Sequence, residues 1–267
     1  MRKLAPVFVL FSLLAVHVSA SAANEVAQSG DVRATLSYNC PGGTYTCTSM
    51  RFRVRRGPGN NNTVLDQQIT LSGNQPFGPG DPNGNSVRFA NLDSDAEPEI
   101  LVDLFTGGAH CCLIGFIYDF NGTSYNHISR NWADPGYVLT NIDHSGRPEF
   151  RTGDKRFVFL YTSYVESRLP IQIWNYRGGR LRTVTRRFHN TVRRDRDAAL
   201  RFYRTVHSAK GDVRGALAAY QADNYLLSRR TAARGWRVLR GLRNRHIVST
   251  RYLRSLQRKL RHFGYAR

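Results

Sequence analysis

The sequence predicts a mainly β fold, built of antiparallel propeller-like sheets or a sandwich, followed by a small basic α-helical C-terminal domain. Three observations lead there. From Asp31 to about Phe188 the readable segments are short and alternate apolar with polar residues; beyond Phe188 the apolar spacing changes to three and four; and almost all of the excess positive charge lies in that second part. With 267 residues, 41% hydrophobic and 11% aromatic, the chain has enough apolar material for a packed core, which excludes wholesale disorder. Four cysteines are too few for a small disulfide framework.

The first 22 residues are expected to be a signal peptide. Arg2 and Lys3 form a short basic start, Leu4 to Val18 is an almost uninterrupted apolar run, and Ala20-Ser21-Ala22 is a small-x-small cleavage site that makes Ala23 the mature N-terminus. About 15 apolar residues fall short of the roughly 20 that span a bilayer. The mature protein is therefore expected to be exported, periplasmic or extracellular, with no transmembrane segment.

Residues 23–188 form the expected β domain. Its strands are Val32 to Tyr38, Met50 to Arg56, Thr63 to Leu71, Ser86 to Phe89, Ile100 to Phe105, Leu113 to Phe120, Ser124 to Arg130, Phe157 to Tyr161 and Ile171 to Tyr176. Turn chemistry separates them at Pro41-Gly42-Gly43, Gly57-Pro58-Gly59-Asn60, Gly78-Pro79-Gly80-Asp81-Pro82, Asn121-Gly122 and Arg177-Gly178-Gly179. Arg51, Arg53 and Arg55 alternate with Met50, Phe52 and Val54, so that strand has one wet face.

Residues 189–267 form the expected helical domain. Ala199, Phe202, Tyr203 and Val206 make one helix; Val213, Leu217, Tyr220 and Leu227 a second, starting at Asp212; Trp236, Leu239 and Leu242 belong to a third. The last helix starts at Ser249 or Thr250 and sets Leu253, Leu256, Leu260 and Phe263 opposite Arg251, Arg254, Arg258 and Arg261. Residues 1–180 carry a net charge of +1, with 16 basic and 15 acidic residues, whereas residues 181–267 carry 23 basic and 4 acidic. A charge of this density attracts anions, and the four arginines of the last helix are the candidate anion-binding residues. The expected partner is an anionic polymer or surface such as cell wall, lipid head groups or extracellular nucleic acid.

Two related segments lie 50 residues apart: Asn91-Leu92-Asp93-Ser94-Asp95-Ala96-Glu97-Pro98-Glu99-Ile100 and Asn141-Ile142-Asp143-His144-Ser145-Gly146-Arg147-Pro148-Glu149-Phe150. Oxygen side chains at alternate positions followed by a carboxylate can wrap a hard cation such as Ca²⁺. The candidate ligands are Asn91, Asp93, Asp95 and Glu99, with Glu97 contributing its carbonyl. In the second copy Ser145 replaces an acid and Arg147 adds a positive charge, so that copy is expected to be a poor cation site.

These loops resemble the calcium loops of FG-GAP and VCBS repeats, found in integrin-like propellers and many secreted bacterial proteins. The stretch Val102 to Cys112, with Gly107-Gly108-Ala109-His110-Cys111-Cys112, and the stretch Ile171 to Tyr176 extend the likeness to a group of exported bacterial proteins over about residues 85–190. The resemblance implies an extracellular β scaffold, often with Ca²⁺, and no catalytic activity. At roughly 40–50 residues per blade, residues 24–188 supply three or four blades, too few for a usual full propeller.

Cys40 and Cys47 flank a tight turn and are expected to pair; Cys111 and Cys112 are adjacent, and local pairing of both couples is the simplest of three connectivities. A metal site at His110-Cys111-Cys112 is disfavoured because adjacent side chains rarely converge on one ion. The phosphate-binding loop, the Gly-x-Ser-x-Gly elbow and the His-Glu-x-x-His motif are absent. His110 and His144 are the weak candidates for a general base. The function expected is a non-catalytic Ca²⁺-binding scaffold or surface protein; the alternative is a secreted metal-dependent hydrolase or nuclease, since a cation loop beside a basic domain also suits phosphodiester chemistry.

Overall fold

A computed structural model describes residues 22–43, 45–47, 49–71, 77–80, 85–93, 95–108 and 110–266. The expected signal peptide, apart from its last residue, lies outside the described residues. The chain is mainly β, with three antiparallel sheets followed by four helices. The first sheet is a meander of β1 (Ala22–Ser29), β2 (Val32–Asn39), β3 (Ser49–Arg56) and β4 (Asn62–Ile69). The second contains β5 (Gly78–Pro79), β6 (Val87–Ala90), β7 (Glu99–Gly108), β8 (Cys111–Phe120) and β9 (Tyr125–Ala133); β5 and β6 both pair with β7. The third runs β10 (Val138–Thr140), β11 (Glu149–Gly153), β12 (Ile171–Arg177) and β13 (Arg180–Thr183) in order. The helices are α1 (His189–Ser208), α2 (Arg214–Leu227), α3 (Arg229–Asn244) and α4 (Thr250–His262).

The sheets stack as layers, and the period of two decides which residue serves which interface. On β7, Ile100, Val102 and Leu104 face the first sheet and pack with Leu36, Met50, Phe52 and Val54. Leu101, between them, points the other way and joins Ile117, Trp132, Phe150 and Tyr176. Strand β8 divides likewise, with Phe116 and Tyr118 in the first of these cores and Ile117 in the second. The second sheet is thus covered on both faces. That explains why β7 reads as a continuous apolar run, whereas β3 alternates cleanly with Arg51 and Arg53 turned out to bind Asp66 of β4. Arg51 and then Arg53 hold the Asp66 carboxyl down at about 2.

Second and third sheets repeat one pattern: a short strand, an eight-residue Asp loop, then three antiparallel strands in sequence order. In the third sheet β11 and β12 are joined by an insertion, and this insertion leaves the sheet. Its Phe157, Leu160, Tyr161 and Leu169 pack into the helical core with Leu217, Leu239, Tyr252 and Leu256. The strand expected at Phe157 to Tyr161 is therefore a correction: Lys155–Phe157 form a 3-10 turn capped by the Asp154 side chain, and the apolar run is a plug for the helices. At Gly215 of α2 a Cβ would lie 2.7 Å from Thr162 Oγ1 and 3.0 Å from the Glu166 carbonyl, so glycine is what allows the insertion to approach that closely.

Helix α2 is the centre of the helical layer, with Gly215 through Asn224 all buried. The other face of the third sheet is closed by Val192 of α1 against Ile171 and Ile173. The chain end returns to the same junction, where Tyr265 donates its hydroxyl to the buried Asp154 at 2.9 Å. Both cysteine pairs, Cys40–Cys47 and Cys111–Cys112, are disulfides.

Because the helical core contains side chains from the insertion that joins β11 to β12, the third sheet and the helices should lose structure together. Phe157→Ala removes a ring that is 2% exposed and should cost about 3–5 kcal/mol. Helical circular dichroism and Trp174 fluorescence of that variant should still melt in one coincident, lowered transition; helices melting apart from an unshifted sheet signal would refute the shared core.

Candidate metal centre

Residues Asn91–Pro98 link β6 to β7, two neighbouring strands whose pairing of Ala90 with Glu99 holds the loop ends together. Within the loop each acid folds its own backbone: the Asp95 N–H donates to Asp93 Oδ1 and the Glu97 N–H to Asp95 Oδ1, both at 2.9 Å. These Asx turns use one oxygen of each carboxylate and leave the other to point elsewhere. Glu99, at the first position of β7, is 2% exposed and reaches back so that Oε2 accepts the Leu92 N–H at 2.7 Å. Its Oε1 is buried with no hydrogen-bond partner.

Asp93, Asp95 and Glu99 each present a carboxylate oxygen, and these oxygens lie within 4.8 Å of one another. Burial pushes the Glu99 carboxyl up to about 7, and the neighbouring Asp93 and Asp119 charges add to the rise. Of the other expected ligands, Asn91 uses its amide N–H and not its side-chain oxygen within the loop, and Glu97, expected to offer its carbonyl, has its side chain committed elsewhere. Asn91 Nδ2 donates to the Asp95 carbonyl at 3.4 Å, and the Glu97 carboxylate forms a forked ion pair with Arg56 of β3, with Nη2 2.8 Å from Oε2. Arg56 is itself held over the Phe120 ring at 3.8 Å. Glu97 thereby fastens the loop to the first sheet.

The second loop is built on the same skeleton. Glu149 accepts the Ile142 N–H at 3.0 Å and Asp143 accepts the Ser145 N–H at 3.0 Å. Its third carboxylate is missing, since Ser145 stands where the first loop has Asp95. Hydrogen bonding from Ser145 holds the Asp143 carboxyl low, and Arg187, just before α1, adds a smaller downward pull there and on Glu149, which burial nevertheless leaves raised. A guanidinium thus supplies positive charge at the second loop, and no equivalent basic neighbour influences Glu99.

Two residues near the centre had no sequence signal. Asp119 of β8 lies close enough to Glu99 to raise it, and Tyr176 of β12 donates to Asp119 at 2.7 Å, so the site borders the interface between second and third sheets. The other candidates lie apart. His110 follows the far end of ten-residue β7, about 30 Å along the strand from Glu99, with its ring 4.1 Å from that of Tyr164. His144 is exposed at a positive φ of 59° in the second loop. Arg251, Arg254, Arg258 and Arg261 are all exposed on α4, while Leu253, Leu256 and Leu260 are buried.

The folded Glu99 carboxyl sits at about 7 against an ordinary 4.5, so in a chelator the native state keeps a proton that the unfolded chain has released. Stability from this group is complete below about 4.5 and declines as pH rises to about 7. Urea midpoints in EDTA should show that decline, and Glu99→Gln should flatten it; parallel pH profiles for the two proteins would show that Glu99 is not the group responsible.

No family model and no solved structure matches the chain. Two curated relatives do. An uncharacterized protein of Sinorhizobium fredii is 33% identical over 126 residues, which is 46% of this chain and 19% of that protein. A probable thylakoid lumen protein of Synechocystis is 26% identical over 159 residues, 57% of this chain and 46% of that protein. The chain therefore spans less than half the length of either relative.

Proposed function

We propose that the protein is an exported, non-catalytic scaffold that binds Ca²⁺ in the Asp93–Glu99 loop and presents the arginine face of α4 to an anionic surface or polymer. The observation that carries the calcium reading is the unpartnered, buried Oε1 of Glu99 beside Asp93 and Asp95. An orphaned acceptor of this kind is costly unless a cation or proton satisfies it. The donors are all carboxylate oxygens, which select a hard cation, and a flexible loop with further carbonyls suits the six to eight ligands of Ca²⁺ better than the strict octahedron of Mg²⁺. The likeness to FG-GAP and VCBS loops supports the same choice.

Export is supported by the apolar leader, by the two disulfides, which persist in oxidising compartments, and by the relative named for the thylakoid lumen. Among the described residues no helix is long and apolar enough to cross a membrane. The non-catalytic reading is supported by the separation of His110 from the acidic loop and by its packing against Phe159 and Tyr164. For attachment, the exposed arginines of α4 stand opposite its buried leucines, so their charge is not consumed in the core.

Extracellular calcium modules bind at about 10⁻⁴–10⁻³ M, and ligand at 100 times its dissociation constant adds roughly 2.7 kcal/mol to folding. Saturating Ca²⁺ should raise the melting temperature measurably above that in EDTA, and Asp93→Ala should abolish the rise. A parent protein indifferent to Ca²⁺, or a variant that keeps the full shift, would sink the proposal.

A further inference from the structure

The third sheet and the helices enclose a trough that neither the acidic loop nor α4's arginine face uses. It consists of two cavities, of 420 Å³ and 260 Å³, which share Arg156, Gln172 and Trp174 and so run into one another across β12. Its described charged lining is Arg130, Lys155, Arg156, Arg186 and Arg187 against a single acid, Asp154. That acid is 2% exposed and already committed to Arg156 and the Tyr265 hydroxyl. Arg156 is paired with that acid and Arg186 is held by the Tyr225 and Tyr265 carbonyls, yet the lining still carries more cations than acids.

Its cations are held in place. The Arg130 guanidinium lies 3.7 Å from the Trp174 ring centroid and 4.7 Å from that of Trp132, forms no ion pair with an acid of the described residues, and keeps a buried Nε without a partner. The Arg156 guanidinium covers Phe263 at 4.6 Å. An arginine stacked on a ring is oriented in advance, and Arg130 can turn its Nη edge to a planar carboxylate, whereas Arg156 spends its Nε and Nη2 on Asp154 and its Nη1 on the Phe263 carbonyl. At the Trp174 ring the trough thus offers a guanidinium edge where a nucleobase would need an open aromatic face. Between the cations the lining is Gln172, Thr152 and Thr183, side chains that both donate to and accept from hydroxyl groups.

We infer that this trough binds a linear carboxylated polysaccharide, with Arg130 on a carboxylate and Gln172 on its hydroxyls. Two cavities in series suit a chain that passes through. The site stands apart from both parts of the function proposed above, and its test separates them.

Binding of full-length mature protein to polygalacturonate, measured by calorimetry in EDTA so that the calcium loop plays no part, is the test. Arg130→Gln should weaken it at least about tenfold. Gln172→Glu is nearly isosteric, keeps the acceptor that Trp174 Nε1 uses, and adds a negative charge where the cavities meet; it should weaken binding as strongly with an unchanged melting temperature. The α4 double variant Arg254→Glu/Arg258→Glu should keep the binding that Arg130→Gln removes. Retained affinity in both trough variants, or loss only in the α4 variant, would overturn the assignment of the site. Tighter binding of single-stranded poly-dT than of polygalacturonate would overturn the ligand class.

Discussion

Strand β7 is covered on both faces, and that constraint organises the molecule. A strand with Ile100, Val102 and Leu104 against one sheet and Leu101 against another has no wet side on which to place a charge, yet it begins with Glu99 and carries Asp103 in its middle. Each buried acid must be met from inside the protein. Asp103 is met by Arg88 and by the Tyr137 hydroxyl, which ties β6 to the segment before the third sheet. Glu99 is met on one oxygen only, by the Leu92 N–H, and its second oxygen faces the acidic loop. The stacking that buries the strand thereby leaves an acceptor that only a proton or a cation can satisfy.

The two Asp loops show how one scaffold satisfies that demand in different ways. In both, a glutamate seven residues beyond an aliphatic N–H closes the loop from the first position of the following strand. The second loop has two acids and Arg187 close to both, so its charge is balanced by protein. The first has four acids; its Arg56 is taken by Glu97, and Arg147, Arg177 and Arg187 line the small cavity that Asp93 shares with the second loop. Substituting Ser145 for an acid and bringing up Arg187 are complementary changes. Together they set a three-carboxylate cluster in one repeat against a self-contained turn in the other.

Much of this was legible in the sequence, and the failures have physical reasons. Period-two alternation located β2, β3, β4, β6, β7, β8, β9 and β12 within a few residues, and the change of spacing after Phe188 marked α1. The spacing of Asp93, Asp95 and Glu99 identified the acids that converge. Strands β10, β11 and β13 escaped notice because three to five residues carry too little periodicity, and β1 because its Ala22-Ala23-Asn24 start reads as processing sequence. Phe157 to Tyr161 looked like a strand because a short apolar run says that a segment is buried without saying against what; here the burial is in the helical core. For the same reason the boundary near residue 188 is real in the backbone and crossed by the packing. Asp119, Tyr176 and Arg187 reach their loops only through stacking of sheets, which local sequence does not encode.

The most direct test of the central claim is a count of ions at the acidic loop. Tb³⁺ takes the oxygen ligands of Ca²⁺ and luminesces when excited through a nearby tyrosine, and Tyr176, which donates to Asp119 beside Glu99, is placed to sensitise it. Titration of the chelated protein should give saturable emission at one ion per chain, displaced by Ca²⁺, abolished by Asp95→Asn and dimmed by Tyr176→Phe. Emission that survives Asp95→Asn unchanged, or a protein that takes up no ion, would contradict the account.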